Sequence, residues 1–166
     1  MNNEAAELFR RYSMARLEKH SASIDDCLGR LTPEQVWWRA SEAQNAIGNL
    51  ALHLCGHVRQ RITLSLAGGT DIRNRDAEFD TQARVSTEEL RQRLKSTIAD
   101  ALAVLRQFPA GRLTEPAPKP GYDCSALENV YAVVEHFALH TGQIIFATKQ
   151  LTKQGLGELG RWKKPQ

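Results

Sequence analysis

Apolar residues recur every three or four positions along four long stretches of this chain, which is the spacing of one buried face on an α-helix. We predict helices over residues 3–28, 45–67, 86–108 and 125–152. No stretch alternates apolar and polar residues over several positions, so strands are not expected. Four amphipathic helices joined by loops predict an all-α fold, and in particular a four-helix bundle.

Polar and proline residues mark where the predicted helices begin. Ser86 and Ser125 are each followed three residues later by a glutamate, which is the spacing of a capping box. Thr32 before Pro33 predicts a short extra helical turn ahead of the second long helix. The remaining stretches lack helical periodicity and are expected to be loops or a loose tail: residues 70–84, 109–124 and 155–166.

Two polar lines run beside the apolar faces of the second and fourth helices, and each is spaced to share a helix face. The lines are Asn45, Asn49, His53 and His57 on one helix, and Asn129, His136, His140 and Gln143 on the other. Two such lines facing each other either satisfy one another by hydrogen bonds or share a metal ion. His136 and His140 lie four apart and suit one metal, with His53 as the third ligand. His57 stays open as a ligand, a supporting group or a solvent-facing residue.

Three neutral imidazoles suit Zn²⁺, Ni²⁺, Cu²⁺ or Fe²⁺ and leave a coordination position open for chemistry. The HFALH segment has the histidine spacing of the metalloprotease pattern HExxH, but Phe137 replaces the general-base glutamate. Cys55 lies two residues from His53 on the same helix and is expected to point to the other side as a small apolar residue. Of the adjacent Trp37 and Trp38, either one packs inward while the other lines a groove, or both pack in the core. We take Trp37, Asn49, His57 and Gln143 as supporting or pocket candidates.

Composition narrows the classes of function. The chain has 166 residues, a formal net charge of +3, 42% hydrophobic residues and three cysteines without CxxC spacing. These values are ordinary for one globular domain, and an odd number of cysteines without a signal peptide is typical of a reducing compartment. No apolar stretch approaches the roughly 18 residues of a membrane span. We therefore expect a cytoplasmic protein with a small-molecule substrate, and neither a membrane nor a nucleic acid as partner.

Two segments together resemble a known family, the DinB-like (YfiT-like) metalloenzyme superfamily of four-helix bundles. They are WWRASEAQNAIGNLALHLCGHVRQRI, residues 37–62, and EHFALHTGQIIFATKQLTKQG, residues 135–155. The resemblance implies a single domain over residues 1–166, an up-down-down-up bundle that is frequently homodimeric, and a divalent metal held by His53, His136 and His140. At position 57, where this chain has histidine, many relatives have asparagine.

The resemblance also implies an activity. Branches of the superfamily are metal-dependent transferases and isomerases that use low-molecular-weight thiols such as bacillithiol, mycothiol or glutathione. We therefore predict a thiol-dependent S-transferase or a related enzyme, with Zn²⁺ or Ni²⁺ expected before iron, manganese or copper. Two alternatives stay open: a metal- or ligand-binding stress-response bundle without catalysis, and a hydrolase that uses metal-bound hydroxide.

Overall fold

The protein is described here by a computed structural model that covers residues 3–80, 84–117 and 123–156. Over these ranges the chain is all-α, as predicted, and the only β pairing is an isolated bridge between Pro116 and Ser125. The α-helices are α1 (Asn3–Gly29), α2 (Pro33–Val36), α3 (Ile47–Val58), α4 (Ser65–Ala67), α5 (Arg75–Phe79), α6 (Thr87–Gln107) and α7 (Ala126–Thr152). A π-helical segment, Arg59–Leu64, joins α3 to α4, and a 3₁₀ turn, Ala110–Arg112, follows α6.

The long helices form a bundle in which α1 and α3 each pack against both α6 and α7. Arg10, near the start of α1, donates to the carbonyl of Leu105 near the end of α6 at 2.7 Å. Arg61, just after α3, donates to Asn129 near the start of α7 at 3.1 Å. Because each contact joins opposite ends of its two helices, α1 is antiparallel to α6 and α3 is antiparallel to α7.

The direction of α7 relative to α1 completes the topology. Gln35, which lies shortly after the end of α1, donates from its side chain to the carbonyl of Leu151 near the end of α7, at 3.4 Å. The two helices therefore end on the same side of the bundle and run in parallel. With α3 and α6 running the other way, the order is up-down-down-up.

The apolar faces predicted from the sequence form the core of this bundle. Every long helix contributes side chains that are almost completely removed from water: Leu17, Ile24, Leu54, Leu90, Leu94, Phe137 and Ile144. Burying a side chain of this size stabilises the fold by about 1.5–3 kcal/mol relative to leaving it exposed. Within the described ranges, no helix combines the length and the apolar character that a membrane crossing requires.

The helix starts follow the predicted capping residues. Thr32 and Ser125 each form a reciprocal capping box with the residue three positions later, Gln35 and Glu128. Ser86 accepts a hydrogen bond from the backbone of Glu89 at 3.1 Å. These contacts satisfy backbone donors that would otherwise be unpaired at each helix start.

Two predicted segments differ from the structure. Residues 70–84 are not wholly irregular, because α5 forms there with Asn74 as its N-cap. A five-residue helix is too short to show periodicity, so its presence depends on tertiary packing. The second helix starts at Ile47 rather than at residue 45, and it changes to π geometry after Val58. Parts of the predicted loop and tail, residues 118–122 and 157–166, lie outside the described residues.

Candidate functional site

Three histidines meet between α3 and α7. The Nε2 atom of His136 lies 2.8 Å from Nε2 of His53 and 3.1 Å from Nε2 of His140. One ring nitrogen from each histidine falls within 4.8 Å of the others, which is close enough for one metal ion. His136 and His140 meet because they are one turn apart on α7, whereas His53 joins them because α3 packs antiparallel beside α7.

The hydrogen bonds behind two of these rings determine which nitrogen faces the cluster. Nδ1 of His53 lies 2.8 Å from a carboxylate oxygen of Glu78, and Nδ1 of His140 lies 2.6 Å from the amide oxygen of Gln143. Both oxygens are acceptors, so each Nδ1 carries the proton of the neutral ring and each Nε2 presents a lone pair. A metal-binding histidine has the same arrangement, with its second nitrogen donating to a carboxylate or carbonyl.

The spacing of the nitrogens also fits a metal ion. Imidazole nitrogens that share a tetrahedral zinc at about 2.0–2.1 Å lie roughly 3.3 Å apart. The two Nε2 separations of 2.8 and 3.1 Å are somewhat shorter than that value, and all three ligand nitrogens lie within 4.8 Å of one another. The lone pairs of His53 and His140 both point toward His136, whose Nε2 has at most one proton to offer. A divalent cation therefore satisfies this donor set better than hydrogen bonds among the rings do.

A buried ion pair supports His53 from behind. Arg73 donates to both oxygens of Glu78, from Nε at 2.7 Å and from Nη2 at 2.8 Å. Burial raises the pKa of Glu78, but the hydrogen bonds from Arg73 and His53 outweigh it and hold the pKa below its usual range. Nη2 of Arg73 also approaches Nδ1 of His53 at 3.2 Å, but both groups are donors and form no bond there. Glu78 therefore remains an ionised acceptor for His53.

The surroundings of His136 and His140 favour the neutral form of both imidazoles. Burial, followed by the neighbouring His140 and His53, lowers the pKa of His136 to about 4. Burial also lowers the pKa of His140, against the opposing effect of its bond to Gln143. Metal binding requires deprotonated ligands, so these histidines are already in the binding state at neutral pH.

His57 lies beside the cluster rather than among its converging atoms. Its ring centroid is 4.3 Å from that of His136 and 6.3 Å from that of His53. Burial, with the positive side chains nearby, lowers the pKa of His57 to about 2. Its buried Nδ1 has no hydrogen-bond partner in the part of the chain that the structure describes. The structure thus places the ring of His57 beside the ring of His136, as a neutral imidazole.

The other candidates from the sequence have different surroundings. Asn49 is buried and donates to the backbone carbonyl of Glu78 at 3.1 Å, so it fixes α5 against α3. Trp37 packs against Gly48, where an added Cβ would lie 2.8 Å from the indole ring, and it donates to the carbonyl of Val85 at 3.2 Å. Trp37 is therefore a core residue and not part of the histidine cluster. Trp38 is half exposed.

Cys55 is not among the converging ligand atoms of the cluster. It borders a cavity of about 770 Å³ that is lined by residues of α3 and α6 and by Arg73 and Glu78. Burial raises the pKa of its thiol to about 11. A thiol that stays protonated at neutral pH is a poor ligand and a poor nucleophile, in agreement with its predicted role as a small apolar residue.

Glu78 and Arg73, which the structure places behind His53, had no direct signal in the sequence. An indirect signal was available in Gly56, which lies inside a helix where glycine is unfavourable. A Cβ on Gly56 would overlap Oε1 of Glu78 and lie 3.0 Å from Nε of Arg73. The glycine therefore leaves the space that the ion pair occupies against α3.

The fold and the site define a class: an all-α bundle whose described residues bring three histidines close enough to hold one metal ion. The family model described as "Protein of unknown function (DUF1572)" matches residues 4–160, and the chain belongs to that family. No curated protein matches the sequence.

Proposed function

We propose that this protein is a divalent-metal-dependent enzyme of the DinB-like superfamily, acting as a low-molecular-weight-thiol S-transferase or in a related reaction. The metal ligands are His53, His136 and His140. One observation carries the proposal: two of the three converging nitrogens have their protons fixed on the far side of the ring by Glu78 and Gln143. A purely hydrogen-bonded interior would not need this arrangement.

A divalent metal held by three imidazoles supplies an open coordination position at which a thiol loses its proton at neutral pH. The chain's own groups prepare that position. Glu78 orients His53 and increases its basicity, and Gln143 does the same for His140. In the net transfer, the sulfur bonds to an electrophilic carbon, the leaving group departs with its bonding electrons, and the thiol proton goes to solvent.

The first test is elemental analysis of untagged protein. We expect about one divalent metal per chain, zinc or nickel before iron, manganese or copper, and loss of that metal in His53→Ala, His136→Ala and His140→Ala. His20→Ala is the matched control, because His20 is buried in α1 outside the cluster and should leave metal content unchanged. A folded parent without metal, or a triple variant that binds as tightly as the parent, would contradict the site.

The second test separates the thiol reaction from its alternatives. Metal-loaded protein is assayed with bacillithiol, mycothiol and glutathione against a panel of electrophiles, and we expect turnover that requires both the metal and one of the thiols. Turnover of activated esters without added thiol would favour a hydrolase. Full metal occupancy without turnover in either assay would favour a binding protein without catalysis.

Four expectations from the sequence accompany this proposal. We propose a cytoplasmic homodimer that acts on a small molecule and does not bind nucleic acid. Sedimentation that shows a monomer at micromolar concentration would remove the dimer. A gel shift that persists as the salt concentration rises would contradict the statement about nucleic acid.

A further inference from the structure

A cleft of about 430 Å³ opens beside the histidine cluster and has an unusual charge composition. Its lining contains three arginines and no carboxylate: His53, His57, Gln60, Arg61, Arg73, Arg75 and His136. The volume lies within the range of small-molecule sites. Because His53 and His136 belong both to this lining and to the cluster, a molecule bound in the cleft lies next to the metal position.

The three arginines have different contacts at the wall of the cleft. Arg61 follows His53 and His57 at steps of four residues, and its Nη1 donates to the amide oxygen of Asn129 at 3.1 Å. The guanidinium of Arg75 lies over the ring of Phe79, 5.1 Å from its centroid. Arg73 forms an ion pair with Glu78, which also orients His53.

One polar atom of the lining is buried without a partner. Nδ1 of His57 makes no hydrogen bond among the described residues, although His57 belongs to the lining. Because this atom is closed to solvent, it offers no direct contact to a molecule in the cleft. The arginines therefore carry the recognition.

We propose that the cleft binds the anionic end of the substrate, a carboxylate or phosphate group held by Arg61 and Arg75, while the other end reaches the metal. Guanidinium groups bind both of these anions through paired N–H···O bonds, which makes arginine the residue suited to this task. The proposal rests on the proposed function and narrows its substrates to small molecules with an acidic group a few bonds from the reacting atom.

The anion contact is tested with probes that differ only in charge. Titration calorimetry on zinc-loaded protein compares 3-mercaptopropionate with 3-mercapto-1-propanol. We expect the acid to bind at least about tenfold more tightly, the gain of a charge-assisted hydrogen bond. In Arg61→Gln/Arg75→Gln this preference should fall to within about twofold, with zinc content and binding of the alcohol unchanged. Equal affinity of the parent for the two thiols would overturn the proposal.

Two further variants guard against a merely structural effect. Arg75→Gln alone changes an exposed side chain and should lose part of the preference for the thiol acid. We expect this to be the smaller part, because Arg75 also borders a groove with Asp76 and Asp80. Arg59→Gln is the matched control, since Arg59 is exposed and borders the cavity beside Cys55 but not the cleft. The full preference in Arg75→Gln and in the double variant would overturn the assignment of these arginines.

A separate measurement distinguishes failure of the anion site from failure of the thiol reaction. Metal-free protein is titrated with inorganic phosphate while the Nε–H signals of its arginines are followed by nuclear magnetic resonance. Shifts of the Arg61 and Arg75 signals support the anion site even if neither thiol binds, in which case the proposed function alone fails. No shift of either signal, with no preference for the thiol acid, overturns the anion site.

Discussion

Two histidines of this bundle, His20 and His53, are buried to a similar depth but have different surroundings. His20 in α1 is 9% exposed and accepts a hydrogen bond from Arg16 one turn away, at 3.0 Å. His53 in α3 is 6% exposed and lies between a buried carboxylate on one side and two further imidazoles on the other. Both rings are removed from water, yet only His53 presents a lone pair to other ligand atoms.

Burial alone therefore does not make a histidine a metal site. Burial, followed by the charges of Arg16 and Lys19, lowers the pKa of His20 to about 4, much as it does for His136. What separates the cluster is the acceptor behind two of its rings, which fixes the proton on Nδ1 of His53 and His140, and the convergence of the three ring nitrogens. Substitutions behind His53, at His20 and at two glycines should therefore differ in their effects on metal binding and stability.

Removing the charge of Glu78 should have the largest effect. Glu78→Gln leaves Arg73 as a buried cation without its partner, which costs about 3–5 kcal/mol of stability. It also weakens the acceptor behind His53, so metal affinity should fall about 10–100-fold. Chemical denaturation and competition with a chelator measure the two effects.

The control for this change is Asp76→Asn on the same short helix, where the side chain is exposed. It should leave both stability and metal affinity close to the parent values. Parent-like metal affinity in folded Glu78→Gln would mean that the carboxylate does not support His53, and the contrast with His20 would lose its basis.

Acid should destabilise the protein partly through His20. The pKa of His20 is about 4 in the folded state and about 6.5 in the unfolded state. Between these values the unfolded chain binds a proton that the folded chain does not, so stability is lost as the pH falls from about 6.5 to about 4. The total loss from this residue is about 3 kcal/mol.

The measurement is the free energy of unfolding of metal-free protein across this pH window, compared between the parent and His20→Gln. The difference between the two profiles isolates the contribution of His20 from that of His136 and His140, whose pKa values are also lowered. Metal content should be equal in the two proteins. Parallel profiles would show that His20 is not a buried neutral group.

Filling the space at Gly56 should lower the metal affinity of the cluster, although Gly56 is not one of the proposed ligands. In Gly56→Ala the added methyl group displaces the carboxylate of Glu78, so His53 loses its orienting acceptor. We expect metal affinity to fall about tenfold, measured by competition with a chelator. Affinity equal to the parent would show that the ion pair has room to shift without releasing His53.

The smallest effect is expected at Gly142, two residues after His140 on α7. An added Cβ there meets no heavy atom within 4 Å, so Gly142→Ala should stabilise the helix by about 0.5–1 kcal/mol. Metal affinity should not change. A loss of affinity comparable to that of Gly56→Ala would mean that rigidity of the helix backbone, and not the group behind His53, governs the site.

Features set by neighbours along one helix could be predicted from the sequence. The apolar period determined the four long helices, and the capping residues fixed the start of α7 at Ala126. The pairing of His136 with His140, and of His140 with Gln143, follows from the pitch of a single helix. Placing His53 among the metal ligands depended on the expectation that the two polar lines face each other in a bundle, and the family resemblance implied the same residue.

The tertiary structure alone decided what lies behind His53 and beside the cluster. Glu78 is 25 residues from His53 in the chain, on a helix of five residues that packing against α3 holds in place. The arginines of the cleft come from the π-helical segment and from the loop before and start of α5. Periodicity carries information over a few helical turns only, whereas these contacts depend on where separate elements meet in three dimensions.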